Sequence, residues 1–222
     1  MTELRYRRWG DHVNAHRPGF RPANHTRSVF HALSGVVALL AIQHVFTPNT
    51  MVLAAFVFCV WGWGMEVSRR RLPAVNTFLM KVFGPIAHPH ESYRINSATW
   101  YVTALLALSL TASPMACSLA VIVLGVGDPA AAFVGRRWGR TRLASGRSVE
   151  GSLGFVGFAG LAAALTLAIY YPHLGAAQLV TLALVSALAG AIAELVTAGL
   201  DDNLVIPLAA AAGASFVAAV FA

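Results

Sequence analysis

The chain of 222 residues is 57% hydrophobic and only 11% charged, and it has a mean hydropathy of +0.65 and a formal net charge of +7 at pH 7. About a quarter of the residues of an ordinary soluble domain are charged, so this composition excludes that class and predicts a polytopic membrane protein. A sequence pI near 10.3 would also suit a nucleic-acid partner. Basic residues that orient membrane helices explain the pI without one, and we expect no nucleic acid to bind.

About seven apolar runs in the sequence are candidates for bilayer crossing, for which a helix needs roughly 17 to 25 residues. Several are short or interrupted by glycine, so a count of six or eight is the alternative. They lie at 29–46, 50–65, 97–112, 115–135, 152–171, 177–197 and 204–222. The predicted fold is an all-α, polytopic integral membrane helical bundle with about seven transmembrane helices. Residues 1–28 are predicted to be a basic cytoplasmic N-terminal tail, because they lack the apolar core of a signal peptide.

The basic residues are distributed on one side of this arrangement. All sixteen Lys and Arg residues fall before the first span, between the second and third, or between the fourth and fifth. The opposite loops at 47–49, 111–114 and 170–178 contain no Lys, Arg, Asp or Glu. With a cytoplasmic N-terminus and seven helices, every basic segment is cytoplasmic and the C-terminus lies on the opposite side. We therefore expect polar chemistry at the cytoplasmic face.

The first two spans carry charged residues at their predicted cytoplasmic ends. Arg27, His31 and Gly35 recur at four-residue spacing and share one helix face. They are interpreted either as a snorkelling arginine, an interfacial imidazole and a packing glycine, or as part of a site. Glu66 is spaced to pair with Arg69 or Arg70, which favours a structural membrane anchor.

The segment 72–90 is too broken for a span and too apolar for a free loop, so an amphipathic interfacial or re-entrant segment is predicted.

The stretch 124–140 places Asp128 inside an apolar run and follows it with Pro129 and several arginines. Gly125 and Gly127 weaken a helix, and a proline disfavours the α conformation of the residue before it. We therefore predict a broken helix near Asp128, which would cap a new half-helix with unpaired N–H groups for an anion. A kinked helix is the structural alternative. A carboxylate at this depth costs roughly 2.5 kcal/mol or more without a partner, which favours a functional role.

The arginines after this stretch favour a phosphate ligand. Arg136 and Arg140 are four residues apart, so both could project toward one ligand, with Arg137 beside them. Guanidinium groups bind phosphate oxygens bidentately. The following loop, SGRSVEGS at 145–152, has Arg147 in place of a lysine and lacks the glycine spacing of a P-loop. A soluble P-loop fold is therefore rejected.

Four acidic residues complete the predicted polar cluster. Glu194 and Asp201 are seven residues apart and would line one helix face if the helix persists. Asn203 is predicted to cap the last helix. Asp128, Asp201 and Asp202 offer hard oxygen ligands suited to Mg²⁺ and phosphate, so metal or substrate binding is predicted there.

Three segments, GDPAAAFVGRRWGR, GRSVEGSLGF and AELVTAGLDDNLVIPL, follow in this order between residues 120 and 210. Together they resemble the three blocks of the CTP-dependent lipid kinases, a family that includes dolichol kinase, phytol kinase and yeast-type diacylglycerol kinase. Arg27, His31 and Gly35 give the resemblance weaker support. The second block of the family usually has Lys-Thr where this chain has Arg147 and Ser148, a change that keeps the charge and the hydroxyl.

The resemblance implies transfer of the γ-phosphoryl group of CTP, or of another nucleoside triphosphate, to the hydroxyl of a lipid alcohol. An isoprenoid alcohol such as phytol, a polyprenol or dolichol is preferred, with diacylglycerol as the other acceptor. Residues 29–222 would then form a single transmembrane catalytic domain, with Mg²⁺ as cofactor and no implied oligomeric state. The implied catalytic residues are Asp128, Glu194 and Asp202. The implied metal ligands are Asp128, Asp201 and Asp202. The implied nucleotide-binding residues are Gly127, Arg136, Arg137, Arg140, Arg147, Ser148, Glu150, Gly151 and Asn203.

Two other functions remain open at this point. A CTP-dependent cytidylyltransferase that makes a CDP-lipid would share the membrane GD-type motif and would release pyrophosphate. A non-enzymatic lipid or ion carrier could use broken helices with Asp128 and Glu194 at depth, but such carriers often show paired repeats and the sequence has no second GDP-like segment.

Overall fold

The computed structural model describes residues 25–83, 94–143, 145–196 and 200–222. Within these residues the chain forms eight α-helices and no strand, with one isolated bridge between Arg142 and Ser148. The helices are α1 His25–His44, α2 Pro48–Arg71, α3 Pro73–Phe83, α4 Ser97–Thr111, α5 Pro114–Arg137, α6 Val149–Tyr170, α7 Ala176–Val196 and α8 Asp202–Val220. The predicted all-α bundle is confirmed.

Six of the helices in the described part of the chain are long and apolar enough to cross a membrane: α1, α2, α5, α6, α7 and α8. The remaining predicted span, 97–112, corresponds to α4, which has 15 residues. At 1.5 Å per residue such a helix is roughly 22 Å long, shorter than the hydrocarbon core of about 30 Å. Since α4 packs against α2 and α8, protein rather than lipid covers part of its surface.

The first helix begins at His25, four residues before the predicted span. The remainder of the predicted tail, residues 1–24, lies outside the described residues, so the division at residue 28 stays a prediction. The predicted interfacial segment 72–90 contains α3, a helix of 11 residues with no buried side chain. Its second part, from residue 84, lies outside the described residues as well.

Polar caps fix where the helices begin. Each capping side chain accepts a hydrogen bond from a backbone N–H in the first turn, which typically stabilises a helix by ~1 kcal/mol. The caps that do this are Thr47 for α2, Asn96 for α4, Ser113 for α5, Ser148 for α6 and Asp201 for α8. The starts of α6 and α8 are therefore set by residues of the predicted second and third sequence blocks.

Helix α5 is the centre of the bundle. It packs against α1, α6, α7 and α8, with a smaller contact to α4, and every residue from Ala116 to Gly125 is buried. The same helix carries Asp128 one turn beyond this buried segment. The most enclosed helix of the protein therefore also holds its most unusual acidic residue.

The predicted break at Asp128 is wrong, because α5 continues through Asp128 and Pro129 to Arg137. Proline removes a single N–H, the one that would bond to the carbonyl of Gly125, and neighbouring helices stabilise the rest. Asp128 is thus a residue inside α5 and not the N-cap of a half-helix, and the predicted cradle of unpaired N–H groups does not form within α5.

Two close crossings hold α1 and α6 against α5. A Cβ added at Gly35 of α1 would lie 2.9 Å from the Val121 carbonyl oxygen and 3.0 Å from Cα of Gly125. A Cβ added at Gly127 would lie 2.5 Å from the ring of Phe155 in α6. At Gly35 the close neighbours are backbone atoms, so only glycine allows that approach, and both contacts lie on the N-terminal side of Asp128 along α5.

Candidate functional site

The centre of the candidate site is Arg147, in the loop between α5 and α6. The loop turns at Gly146, whose φ of 79° favours glycine, and the Leu143 N–H donates to the Arg147 carbonyl at 2.8 Å. Arg147 Nη1 donates to Glu194 Oε1 at 2.5 Å, and Nη2 donates to Asp202 Oδ2 at 2.5 Å. One guanidinium therefore joins the end of α7 to the start of α8.

This ion-pair cluster is largely enclosed. The side chains of Glu194 and Arg147 are 1% and 22% exposed. Burial alone would lower the pKa of Arg147, but Asp202, Glu194 and Asp128 together favour the charged guanidinium, so the pKa is raised. Asp128 also interacts electrostatically with Asp202. The structure thus brings Arg147 together with three of the acids that the sequence singled out.

The fourth acid, Asp201, has structural partners. Its carboxylate accepts from Ser97 Oγ of α4 at 2.8 Å and from the Asn203 N–H at 3.0 Å. Asp201 is the N-cap of α8, so the prediction that Asn203 caps this helix is off by two residues; Asn203 is buried in its first turn. The helical argument for Glu194 and Asp201 is also wrong, because α7 ends at Val196.

His31 belongs to this region and was not among the predicted site residues. Its Nε2 is buried and, among the described residues, has no hydrogen-bond partner. The imidazole interacts electrostatically with Asp128, Arg27 and Asp201, and its ring centroid lies 6.5 Å from that of Tyr101. The sequence did carry a signal for including His31 in the site: it lies four residues before Gly35, on the same helix face. Because Gly35 contacts α5 closely, His31 also faces α5.

Several predicted nucleotide-binding residues have packing or capping contacts. Ser148 is buried and caps α6 by accepting from the Gly151 N–H at 3.0 Å. Glu150 accepts from the Thr141 N–H at 3.1 Å and so closes the loop before α6. Gly127 and Gly151 allow α5 and α6 to approach. Nucleotide contacts at these positions stay predictions.

The helical spacing argument for Arg136 and Arg140 does not apply, and a shared ligand stays a prediction. The helix ends at Arg137, so Arg140 lies in the loop and its spacing of four from Arg136 no longer directs it to the same side. The chain turns at Gly139, where a Cβ would lie 2.2 Å from the Gly135 carbonyl oxygen. Arg137 and Arg140 are exposed, whereas Arg136 lines a groove.

That groove lies between α1, α5 and α6 and has a volume of about 410 Å³. It is lined by His25, Ser28, Val29, Ala32, Pro129, Ala130, Phe133, Arg136 and Phe158. Pro129 directly follows Asp128, so the groove wall begins next to the candidate site. We name it the α1–α5–α6 groove.

The oxygen donors of the site suit Mg²⁺, although they are not gathered as a closed metal site. Across the described ranges, no group of three or more His, Cys, Asp and Glu side chains is placed to hold a metal ion. The predicted set of Asp128, Asp201 and Asp202 has Asp201 bonded to Ser97 and Asp202 bonded to Arg147. Because Mg²⁺ is usually held by one or two carboxylates plus substrate phosphates, these residues fit an ion that arrives with a nucleotide.

The chain matches no protein-family model and no solved structure. It is similar to the CTP-dependent diacylglycerol kinase 1 of Schizosaccharomyces pombe, with 30% identity over 198 residues that cover 83% of this chain and 89% of the relative. The similarity thus extends over most of the length of both proteins. The resemblance inferred from those blocks is thereby confirmed, and the chain belongs to the family of CTP-dependent lipid kinases.

Proposed function

We propose that this protein transfers the γ-phosphoryl group of CTP to the hydroxyl of a membrane lipid alcohol, and that diacylglycerol is the first acceptor to test. The observation that carries the proposal is the partly buried guanidinium of Arg147, held by Glu194 and Asp202 beside Asp128. A fixed cation surrounded by carboxylates at the end of a membrane bundle suits a triphosphate and its divalent cation. The printed name of the 30% identical relative supports both CTP and diacylglycerol.

The chemistry of phosphoryl transfer fits this arrangement, since the protein has to position the reactants and neutralise charge and does little covalent work. Arg147 supplies a planar fork that matches phosphate oxygens. Incoming phosphate oxygens compete with Asp202 for Nη2, while the more deeply buried Glu194 keeps Nη1 in place. We assign Glu194 the role of positioning Arg147, because its side chain is 1% exposed and already paired.

Asp128 is assigned to the acceptor hydroxyl. Its side chain is only partly buried, and it precedes Pro129 of the α1–α5–α6 groove. It accepts the proton of the alcohol as the hydroxyl oxygen attacks the γ-phosphorus and the bond to the leaving CDP breaks. Asp201 and Asp202 are the donors that would hold Mg²⁺, which when bound neutralises phosphate charge.

The location of the site agrees with a cytoplasmic nucleotide. The loop between α5 and α6 carries Arg147 and belongs to the three segments that contain all sixteen Lys and Arg residues. Such segments tend to remain in the cytoplasm. We therefore propose a cytoplasmic site with the C-terminus on the opposite side. The test is to label Gly146→Cys with a membrane-impermeant reagent in sealed, oriented vesicles. Labelling only from the side opposite the cytoplasmic one would contradict this orientation.

The decisive assay uses the purified full chain in mixed micelles with Mg²⁺ and γ-labelled CTP, ATP or GTP. The acceptors are diacylglycerol, phytol and a polyprenol. We expect label from CTP in phosphatidic acid together with release of CDP. Label only in phytol or the polyprenol would support the isoprenoid preference from the sequence and exclude the diacylglycerol assignment. The absence of label from every lipid would overturn the kinase proposal.

The same assay separates the two rival functions. A cytidylyltransferase acting on a phosphorylated lipid would release pyrophosphate and form a CDP-lipid, which α-labelled CTP with phosphatidic acid as substrate would detect. A carrier would leave the nucleotide intact with every lipid. Release of CDP in proportion to the phosphorylated lipid is expected from the kinase alone.

A further inference from the structure

We propose that the α1–α5–α6 groove seats the glycerol region and the first acyl carbons of diacylglycerol, with the free hydroxyl directed to Asp128. This inference rests on the proposed function and adds where the acceptor binds and how it enters. It also separates the acceptor site from the nucleotide site, which we place at Arg147.

The groove has the size and lining of a small-molecule site. Its volume of about 410 Å³ lies in the range of roughly 300–1,000 Å³ typical of ligand pockets. Most of the lining side chains are apolar: Val29 and Ala32 from α1, Pro129, Ala130 and Phe133 from α5, and Phe158 from α6. A triphosphate would find few partners along such walls, whereas hydrocarbon would be well accommodated.

The groove shares two helices with the charged site. On α1, Ser28 and Ala32 line the groove. Ser28 directly follows Arg27, and Ala32 directly follows His31, whose imidazole interacts electrostatically with Arg27 and with Asp128 of the site. On α5, Pro129 lines the groove and directly follows Asp128. Successive residues of a helix are turned by about 100°, so groove and site lie on adjacent faces of the same two helices. The groove therefore borders the face of α5 that carries Asp128.

The polarity of the groove matches an amphiphile with a small polar end. Helices α1 and α5 run in opposite directions across their Gly35–Gly125 contact, so His25 at the start of α1 and Arg136 near the end of α5 lie at the same end of the groove. These groups can bind the ester oxygens. Apart from Ser28, the remainder of the lining is apolar and extends toward Phe158.

The groove also opens sideways. Val29, Phe133 and Phe158 line it and are each more than half exposed. In a helix bundle that spans a membrane, exposed apolar side chains contact lipid. Diacylglycerol, which stays dissolved in the bilayer, can thus enter from the side without leaving the hydrocarbon, while the nucleotide reaches Arg147 from water.

The first test narrows the groove without touching the charged site. Ala32→Leu and Ala130→Leu are compared with Ala212→Leu, at an exposed alanine on α8 away from the groove. We expect the groove variants to raise the KM for diacylglycerol in mixed micelles by about tenfold, a penalty typical of overpacking a well-fitted site, with the KM for CTP unchanged. If both variants keep the diacylglycerol KM of the Ala212→Leu protein, or raise both KM values together, the groove is not the acceptor site.

The second test does not depend on turnover. A diacylglycerol analogue with a photoreactive diazirine on the second acyl carbon is irradiated with the purified protein, and the labelled peptides are identified. We expect label on α1 and α5 residues of the groove, displaced by unlabelled dioleoylglycerol. Label elsewhere, or groove label that dioleoylglycerol does not displace, would overturn the proposal and identify a site for bulk lipid. Displacement by phytol alone would overturn it in favour of an isoprenoid.

The two proposals fail in different ways. A protein that phosphorylates diacylglycerol but shows no groove label keeps the proposed function and loses the acceptor site. A protein that transfers no phosphate but shows displaceable groove label binds diacylglycerol at this site and loses the kinase function.

Discussion

Replacing Arg147 by alanine tests the cluster on which the proposed function depends. The variant leaves Glu194, whose side chain is 1% exposed, without the guanidinium that neutralises it. Removing one partner of a buried ion pair typically destabilises a protein by ~3–5 kcal/mol. Because the side chains of Arg147 and Asp202 are 22% and 26% exposed, we expect a loss at the lower end of this range, about 3 kcal/mol. For a chain of this size, that loss corresponds to a melting temperature lower by ~6–12 °C.

The assay is thermal unfolding of the purified protein in detergent, followed by the fluorescence of its five tryptophans. Arg142→Ala is the matched control, since the side chain of this exposed arginine in the same loop donates a 3.4 Å hydrogen bond to the Gly146 carbonyl. We expect its effect to stay within about 0.5 kcal/mol.

The double variant Arg147→Ala with Glu194→Gln separates stability from catalysis. It removes the buried charge along with its partner, so most of the lost melting temperature should return, because a neutral amide is much less costly to bury than a carboxylate. Phosphoryl transfer should remain absent, since the phosphate-binding guanidinium is still missing. A single variant that melts like the wild type, or a double variant that melts as low as the single one, would refute the reasoning about the buried pair.

Three further substitutions or treatments probe other parts of the molecule. Asp128→Asn should lower turnover by about 10²-fold or more, as expected for loss of a general base, with an unchanged melting temperature; near-normal turnover would make Asp128 a structural residue. Gly35→Ala should destabilise the protein by ~1–3 kcal/mol because its Cβ would meet the α5 backbone at 2.9 Å. Gly157→Ala, where a Cβ meets nothing within 4 Å, is its control, and equal melting of the two variants would contradict the close crossing. Chelation with EDTA should stop transfer and added Mg²⁺ should restore it; full activity in EDTA would remove the metal from the mechanism.

The positions of the helices were predictable because membrane spans leave a long signal. Each of the seven predicted runs contains a helix, and their starts differ from the predictions by four residues or fewer. The signal comes from the cost of placing polar backbone and charge in hydrocarbon, which acts on about twenty residues at once. The same rule predicts a full membrane span at α4, which is too short for one. The apolar composition of α4 reflects its contact with α2 and α8 as well as with lipid.

Predictions from single residues were less reliable than predictions from hydropathy over about twenty residues. Pro129 and the preceding glycines predicted a break, but the packing of α5 against α1 and α6 keeps the helix continuous. The sequence did place Asp128, Glu194 and Asp202 in one polar cluster, from their predicted positions at the same side of the membrane. It could not reveal that Arg147 joins Glu194 to Asp202, since those partners are 47 and 55 residues away along the chain and meet only through the packing of α6, α7 and α8.

The order of Arg147, Glu194 and Asp202 along the chain has a consequence for how the protein is made. A carboxylate in the membrane without a partner is disfavoured by about 2.5–3.5 kcal/mol. Arg147 is synthesised before both of its carboxylates, so its charge is already at the membrane surface when the end of α7 emerges. Asp202 follows Glu194 along the chain and is the first residue of α8. A ribosome-bound chain that stops before α8 should therefore hold Glu194 but lack half of the guanidinium's partners, and the ion-pair cluster is completed only when α8 is inserted.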